Sequence, residues 1–270
     1  VRRVFQKLSQ TSIAETAQIV RNKLDTPINL GYSASGIVEE IGSKVSGYKK
    51  GDYISFIGSG LATHSEYNLV PVSMCSKINE ENLKESSFGM LGCIAMHAVR
   101  QFRFNLNGKK IAILGSGLLG NIATQILNAY GAETFSYDPS EVKSDILRDM
   151  DFNSSSKEDA LNEISENLKY GGFDGVLLAC AVNNNGPLQH ALDIIRINGE
   201  IVVMGVVDIK LDRNEMWQKQ ASIIVSKAGG FGALDENYYS SSENYSLDST
   251  QWTEKNNLDE INRLIKSHKI

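Results

Sequence analysis

The sequence predicts an α/β chain: a doubly wound parallel sheet joined to a small, incomplete, β-rich unit. Three observations predict it. Residues 109–120, KKIAILGSGLLG, run from an apolar strand through three glycines into a helical pattern. Strand-like and helix-like stretches alternate from there to residue 226. Ahead of them, residues 27–71 are glycine-rich with short β-like runs. Alternation of this kind implies right-handed β-α-β crossovers and a parallel sheet with helices on both faces.

Taken in order, residues 1–25 place Val4, Leu8, Ile13, Ala17, Val20 and Leu24 at helical spacing between Arg and Lys. They read as two short amphipathic helices broken near residues 9–12, where Ser or Thr caps the second. The β-rich unit has strand-like runs at 35–41, 53–57 and 66–71, with glycines at 31, 36, 42, 47 and 51 spaced for turns and bulges. Gly51-Asp52 is a turn signal before a strand. Residues 83–104 read as a helix with an apolar stripe through Phe88, Leu91, Ile94, Ala95 and Val99.

Beyond it, strands are expected at 111–114, 133–137, 174–179, 200–206 and 221–226. Helices are expected at 121–130, 141–149, 159–168 and 187–195. A polar Ser/Asn/Tyr-rich loop follows Gly229, and then Leu258, Ile261, Leu264 and Ile265 mark a last helix. These features divide the chain into a β-rich unit with its N-terminal helices (1–78), the α/β domain (79–235) and a returning segment (236–270).

Bulk properties narrow the function classes. At 270 residues, 41% hydrophobic and 22% charged with net charge −5, the chain offers nothing for nucleic acid and no basic face for an anionic membrane. It has no apolar run of the roughly 18 residues a transmembrane helix needs, and no signal-peptide core. Cys75, Cys93 and Cys180 are far apart, with no C-x-x-C pair. A sparse, odd set suits a reducing compartment, so the expectation is a soluble, cytoplasmic enzyme-sized chain with a small-molecule substrate.

The glycine turn carries the chemistry. Gly115, Gly117 and Gly120 stand at G-x-G-x-x-G spacing, with Ser116, Leu118 and Leu119 between them. Gly115 permits the tight turn, Gly117 a close approach to a pyrophosphate, and Gly120 close packing of helix on strand. Backbone N–H groups and the helix dipole there favour an anion. Asp138 closes the next strand near the offset expected for the acid that binds ribose hydroxyls. Cys180, Gly205 and Val206 follow later strands and fall near the same crevice. A carboxylate at Asp138 repels a 2′-phosphate, which argues for NAD over NADP, while Lys143 keeps NADP open. The alternative is a glycine turn that serves packing alone.

Residues 31–38, GYSASGIV, then Gly42 and Gly51-Asp52-Tyr53-Ile54, resemble a signature of the medium-chain dehydrogenase/reductase superfamily, whose zinc members carry G-H-E-x-x-G-x-V there. A further resemblance is to the medium-chain half of bacterial bi-domain oxidoreductases. It rests on the basic helices before G-Y-S and on Trp252-Thr253-Glu254 with Asn257-Leu258. The resemblance implies a Rossmann cofactor domain beside a GroES-like catalytic domain and a nicotinamide-dependent oxidoreductase. It also implies pairing through the sheet edge as a homodimer, and a fused or adjacent second oxidoreductase domain. It further makes the chain look truncated at both ends of the family pattern.

The departures bear on mechanism. Tyr32 and Ser33 replace the family's His and Glu, and phenol and hydroxyl are poor zinc ligands. Cys93 falls near a third ligand position, but one cysteine makes no metal site, so no metal is expected. Without zinc, hydrogen-bond donors must stabilise the substrate oxyanion. Tyr32, Ser33 and His97 are the candidates, as donor, relay and proton shuttle. Two readings stand beside this one: a zinc-dependent alcohol or polyol dehydrogenase, and a dinucleotide-binding module without turnover.

Overall fold

The computed structural model describes residues 29–230 and 252–270. The helices expected over residues 1–25 lie outside the described residues, as does the polar loop up to residue 251.

Two sheets form the frame. The smaller has three antiparallel strands in the order β1 (Ser33–Ile37), β2 (Tyr53–Ile57) and β3 (Cys75–Lys77). Gly51 takes φ +88° at the expected turn, and its N–H donates to the Val38 carbonyl at 2.8 Å. No strand forms over 66–71. Asn68 Oδ1 instead accepts the Thr63 backbone N–H (2.9 Å) and hydroxyl (2.8 Å), curling the segment back on itself. Pro71, which has no N–H to give a ladder, then caps a short 3₁₀ turn leading into β3.

The larger sheet is six-stranded and parallel, in the order β6 (Asn153–Ser155), β5 (Glu133–Tyr137), β4 (Lys110–Leu114), β7 (Phe173–Leu178), β8 (Ile195–Val203) and β9 (Ser222–Val225). Period two along β4 sends Ile111 and Ile113 to one face, Ala112 and Leu114 to the other, and both pairs are buried. Full burial of each such isoleucine or leucine contributes about 1.5–3 kcal/mol. Strands buried on both faces therefore read as continuous apolar runs. Strands β3 and β6 escape such reading because they are three residues long and largely polar.

The helices are α1 (Gly89–Val99), α2 (Leu118–Ala129), α3 (Glu141–Asp149), α4 (Ala160–Asn167), α5 (Gly186–Ile194) and α6 (Arg213–Lys219), followed by α7 (Glu254–Lys266). Helix α6 was not expected; the Asp212 side chain caps it by accepting the Asn214 N–H at 2.7 Å.

The expected 83–104 helix is shorter and turned differently. Two 3₁₀ turns precede α1, and Phe88, placed on the expected stripe, is 49% exposed. Helix α1 is instead packed by α2 on one side and α7 on another, so its glycines lie at a contact. A Cβ on Gly89 would lie 2.7 Å from Leu258, and one on Gly92 would lie 2.7 Å from Ile261.

Helix α7 is locked at its start by a capping box. Thr253 Oγ1 accepts the Asn256 N–H at 3.2 Å, and Asn256 Oδ1 accepts the Thr253 N–H at 3.1 Å. Around it, the Arg100 guanidinium stacks 3.7 Å from the Trp252 ring centroid and donates to Asn257 Oδ1 at 2.5 Å. Asn257 Nδ2 donates to the Gly229 carbonyl at 2.9 Å. Leu258 joins Ile57, Met74 and Cys93 in one buried cluster. The W-T-E and Asn-Leu residues thus fasten α7 onto α1 and the small sheet.

Candidate functional site

The three glycines at the end of β4 do three separate things. Gly115 takes φ +108°, and a Cβ on it would sit 2.8 Å from the Cys180 nitrogen. A Cβ on Gly120 would fall 1.9 Å from the Gly115 carbonyl oxygen, so the first turn of α2 rests directly on the loop. A Cβ on Gly117 would meet nothing within 4 Å. The concave side of the turn therefore opens at Gly117, beside the unpaired N–H groups that begin α2. Leu118 and Leu119 form the exposed and half-buried start of that helix.

Ser116 is buried. Its N–H donates to Asp138 Oδ2 at 2.9 Å, and its Oγ has no hydrogen-bond partner among the described residues. Asp138, just past β5, is 4% exposed. Its Oδ1 accepts the Ser140 N–H at 3.0 Å, and Lys143 Nζ donates to Oδ1 and Oδ2 at 3.3 and 3.2 Å. One carboxylate thus joins the glycine turn to the start of α3. Sequence reading named both Asp138 and Lys143 here, but not the ion pair by which Lys143 reaches the acid from the first turn of α3. The signal available was a lysine five residues after the acid.

The far wall comes from the next two strands. The Cys180 carbonyl accepts the Val206 N–H at 3.0 Å, and a Cβ on Gly205 would lie 1.9 Å from that carbonyl oxygen. Val206 is exposed at the rim. Burial pushes the Cys180 thiol pKa up, and the Asp138 charge adds to the shift. The structure thus assembles Gly115, Ser116, Gly117, Gly120, Asp138, Cys180, Gly205 and Val206 along the carboxyl edge of the sheet. Crevices of α/β sheets lie outside that edge.

The three residues expected to handle protons are not gathered in this way. Tyr32 stands at the start of β1, 48% exposed. The Ser33 hydroxyl donates to the Ser87 carbonyl at 2.7 Å and accepts the Met90 N–H at 2.9 Å, bracing β1 against the start of α1. His97 is buried two turns further along α1, about 10 Å along the axis from Met90. Burial, and then the Arg100 charge, lowers its pKa and holds the ring neutral.

Tyr32 and Ser33, a phenol and a hydroxyl, stand where the family's zinc members carry His and Glu, and both are poor zinc ligands. Cys93 is fully buried among apolar side chains, and that burial drives its thiol pKa far above the ordinary range. Among the described residues no three His, Cys, Asp or Glu side chains cluster as a metal site. None of the helices among the described residues is long and apolar enough to cross a membrane.

Comparison with known proteins places this geometry. The family model for the alcohol dehydrogenase GroES-like domain matches residues 7–104, and that for zinc-binding dehydrogenases matches residues 119–242. A zinc-type alcohol dehydrogenase-like protein of Staphylococcus epidermidis is 24% identical over 210 residues, covering 73% of this chain and 61% of its own. The present chain therefore spans about three fifths of that relative's length.

Among solved structures, galactitol-1-phosphate dehydrogenase from Escherichia coli superposes with TM-score 0.70 at 18% identity, over 90% of this chain and 75% of that one. A zinc-binding dehydrogenase from Sinorhizobium meliloti, solved with NADP, superposes with TM-score 0.71 at 17% identity, over 90% and 74%. The parallel sheet with its glycine turn, the small antiparallel sheet and the two matching family models together lead to one assignment: the chain belongs to the medium-chain dehydrogenase/reductase superfamily.

Proposed function

We propose that the chain binds a nicotinamide dinucleotide at the glycine turn and acts as a zinc-independent oxidoreductase on a small alcohol, sugar-type, aldehyde or ketone substrate. The observation that carries this reading is the open face at Gly117, lined by the Ser116 hydroxyl, which has no partner among the described residues, and backed by Asp138. The first-turn N–H groups of α2 and its dipole suit a pyrophosphate. Asp138 and Lys143 face the place where a ribose would lie. The buried carboxylate disfavours a 2′-phosphate, so NAD is the preferred cofactor, with NADP tolerated to the extent that Lys143 can turn toward it.

A bound nicotinamide would supply hydride exchange at its C4. The chain's own part is to position and to move a proton. Tyr32, half exposed just before β1, is the donor to the substrate oxygen. Ser33 holds β1 at its distance from α1 through its two backbone hydrogen bonds. His97, kept neutral, belongs to the proton route only if a chain of groups bridges the two helical turns between it and Met90. The residues that replace zinc ligands leave the oxyanion to hydrogen-bond donors.

A second reading, a dinucleotide-binding module without turnover, is favoured by one observation. With the Ser33 hydroxyl committed to backbone, Tyr32 carries the proton chemistry alone among residues 32 and 33. As parts of the same proposal, the exposed edge at β9 is the surface for a homodimer, and a second oxidoreductase domain adjoins the chain. The free cysteines suit the cytoplasm.

Titration with NADH and NADPH, followed by nicotinamide fluorescence, tests the cofactor reading. Tight NADH binding with weaker NADPH binding is expected, and at least tenfold weakening of both in Gly117→Ala. Binding of neither by the folded wild type would overturn it. Binding without turnover of any alcohol or aldehyde in a broad panel would select the module.

A further inference from the structure

A groove of about 620 Å³ runs between β3 and α7, and it shares no residue with the dinucleotide crevice. Asn82 and Asn262 line it, each 6% exposed. Among the described residues neither Nδ2 nor Oδ1 of Asn262 has a hydrogen-bond partner, and neither does Oδ1 of Asn82. Buried polar atoms in folded proteins are almost always paired, because desolvating one without a partner is costly. Here three such atoms belong to two side chains of a single groove. An amide offers both donors and an acceptor, and its complement is a group that also does both: a hydroxyl.

The same groove is lined by Lys77, Lys255, Arg263, Lys266 and one acid, Asp259. Lys255 Nζ donates to both Asp259 carboxylate oxygens, at 2.7 and 2.8 Å. Lys77 pairs with Asp52 at 2.7 Å, and Arg263 with Glu260 at 2.7 Å. Lys266, on the last turn of α7, has no ion pair among the described residues. The cationic capacity left for a ligand is therefore concentrated at one end, with the amides along the wall. The volume lies within the range of about 300–1,000 Å³ usual for small-molecule sites.

We infer that this groove is a second small-molecule site, for a polyhydroxylated anion of the sugar-acid or sugar-phosphate class. Its hydroxyls pair with Asn82 and Asn262, and its anionic group lies toward Lys266. The inference is independent of cofactor binding.

Calorimetric titration of the whole chain with gluconate, glucose 6-phosphate, glucose and inorganic phosphate tests it, with NMR of the asparagine side-chain amides alongside. At least one of the two polyol anions is expected to bind and shift the Asn82 and Asn262 amide signals. Glucose and phosphate alone should bind at least tenfold more weakly. A preference for gluconate assigns the anion as carboxylate, and a preference for glucose 6-phosphate as phosphate. Lys266→Gln, at an exposed position, should weaken binding about tenfold while leaving melting temperature and NADH titration unchanged. Asn262→Asp should weaken it further. Failure of both polyol anions to bind, or unchanged affinity in Lys266→Gln, overturns the inference, and the lysine variant decides it should Asn262→Asp not fold.

Discussion

Asp138 Oδ2 accepts the backbone N–H of Ser116 at 2.9 Å, so the acid that ends β5 also holds the shape of the loop that ends β4. The two residues are 22 apart in sequence. Their contact makes the glycine turn and the end of β5 one mechanical unit. On the proposed cofactor reading, a change at either residue is felt in both stability and dinucleotide binding.

Asp138→Ala removes the acceptor for the Ser116 and Ser140 N–H groups and for Lys143. Hydrogen bonds to a charged group contribute about 1.5–3 kcal/mol each, and part is recovered by water, so a loss of about 2–4 kcal/mol is expected. Asp138→Asn keeps one acceptor oxygen and should lie between the variant and wild type. Urea unfolding of the three proteins checks the order, and NADH affinity should follow the same order.

Gly117 and Gly120 separate ligand space from packing. Gly117→Ala meets open space and should change stability by less than about 0.5 kcal/mol, as surface substitutions usually do, while weakening NADH binding at least tenfold. Gly120→Ala drives a methyl into the Gly115 carbonyl and should destabilise by about 3 kcal/mol or more. Paired melting and titration experiments check both. Unimpaired NADH binding in Gly117→Ala would remove the open face from the cofactor site.

Thr253→Ala breaks the capping box of α7 and should cost about 1 kcal/mol, while Thr253→Ser should stay near wild type. For a chain of this size that corresponds to a melting-temperature drop of about 2–4 °C. Scanning calorimetry on the two variants reads it.

His97 sets a pH dependence. Its folded-state pKa is lowered by burial and by Arg100, so the unfolded chain takes up the proton first as pH falls. The stabilisation is complete above the ordinary histidine pKa of about 6.5 and is lost as pH drops from there toward the lowered value. Wild type should therefore lose more melting temperature between pH 7.5 and 5.5 than His97→Gln does. His190, also lowered by burial, contributes equally to both proteins and cancels in the difference. Parallel pH profiles of the pair would refute this.

The sequence by itself determined the parallel sheet and its glycine turn, because both are written in local pattern. Ile111–Leu114 alternates between two buried faces, and the spacing of Gly115, Gly117 and Gly120 follows from steric demands within six residues. Asp138 was legible too, since its distance from the turn is one β-α-β unit. Tertiary structure alone decided the rest. Whether the Ser33 hydroxyl relays protons or braces a helix depends on Ser87 and Met90, more than fifty residues away. Which face of α1 is buried depends on α7, whose Leu258 and Ile261 need the room that Gly89 and Gly92 leave. That Asn82 and Asn262 line one groove depends on a helix returning to the small sheet. Patterns read along a chain register a residue's own period and shape, whereas hydrogen-bond partners and shared cavities are set by segments distant in sequence.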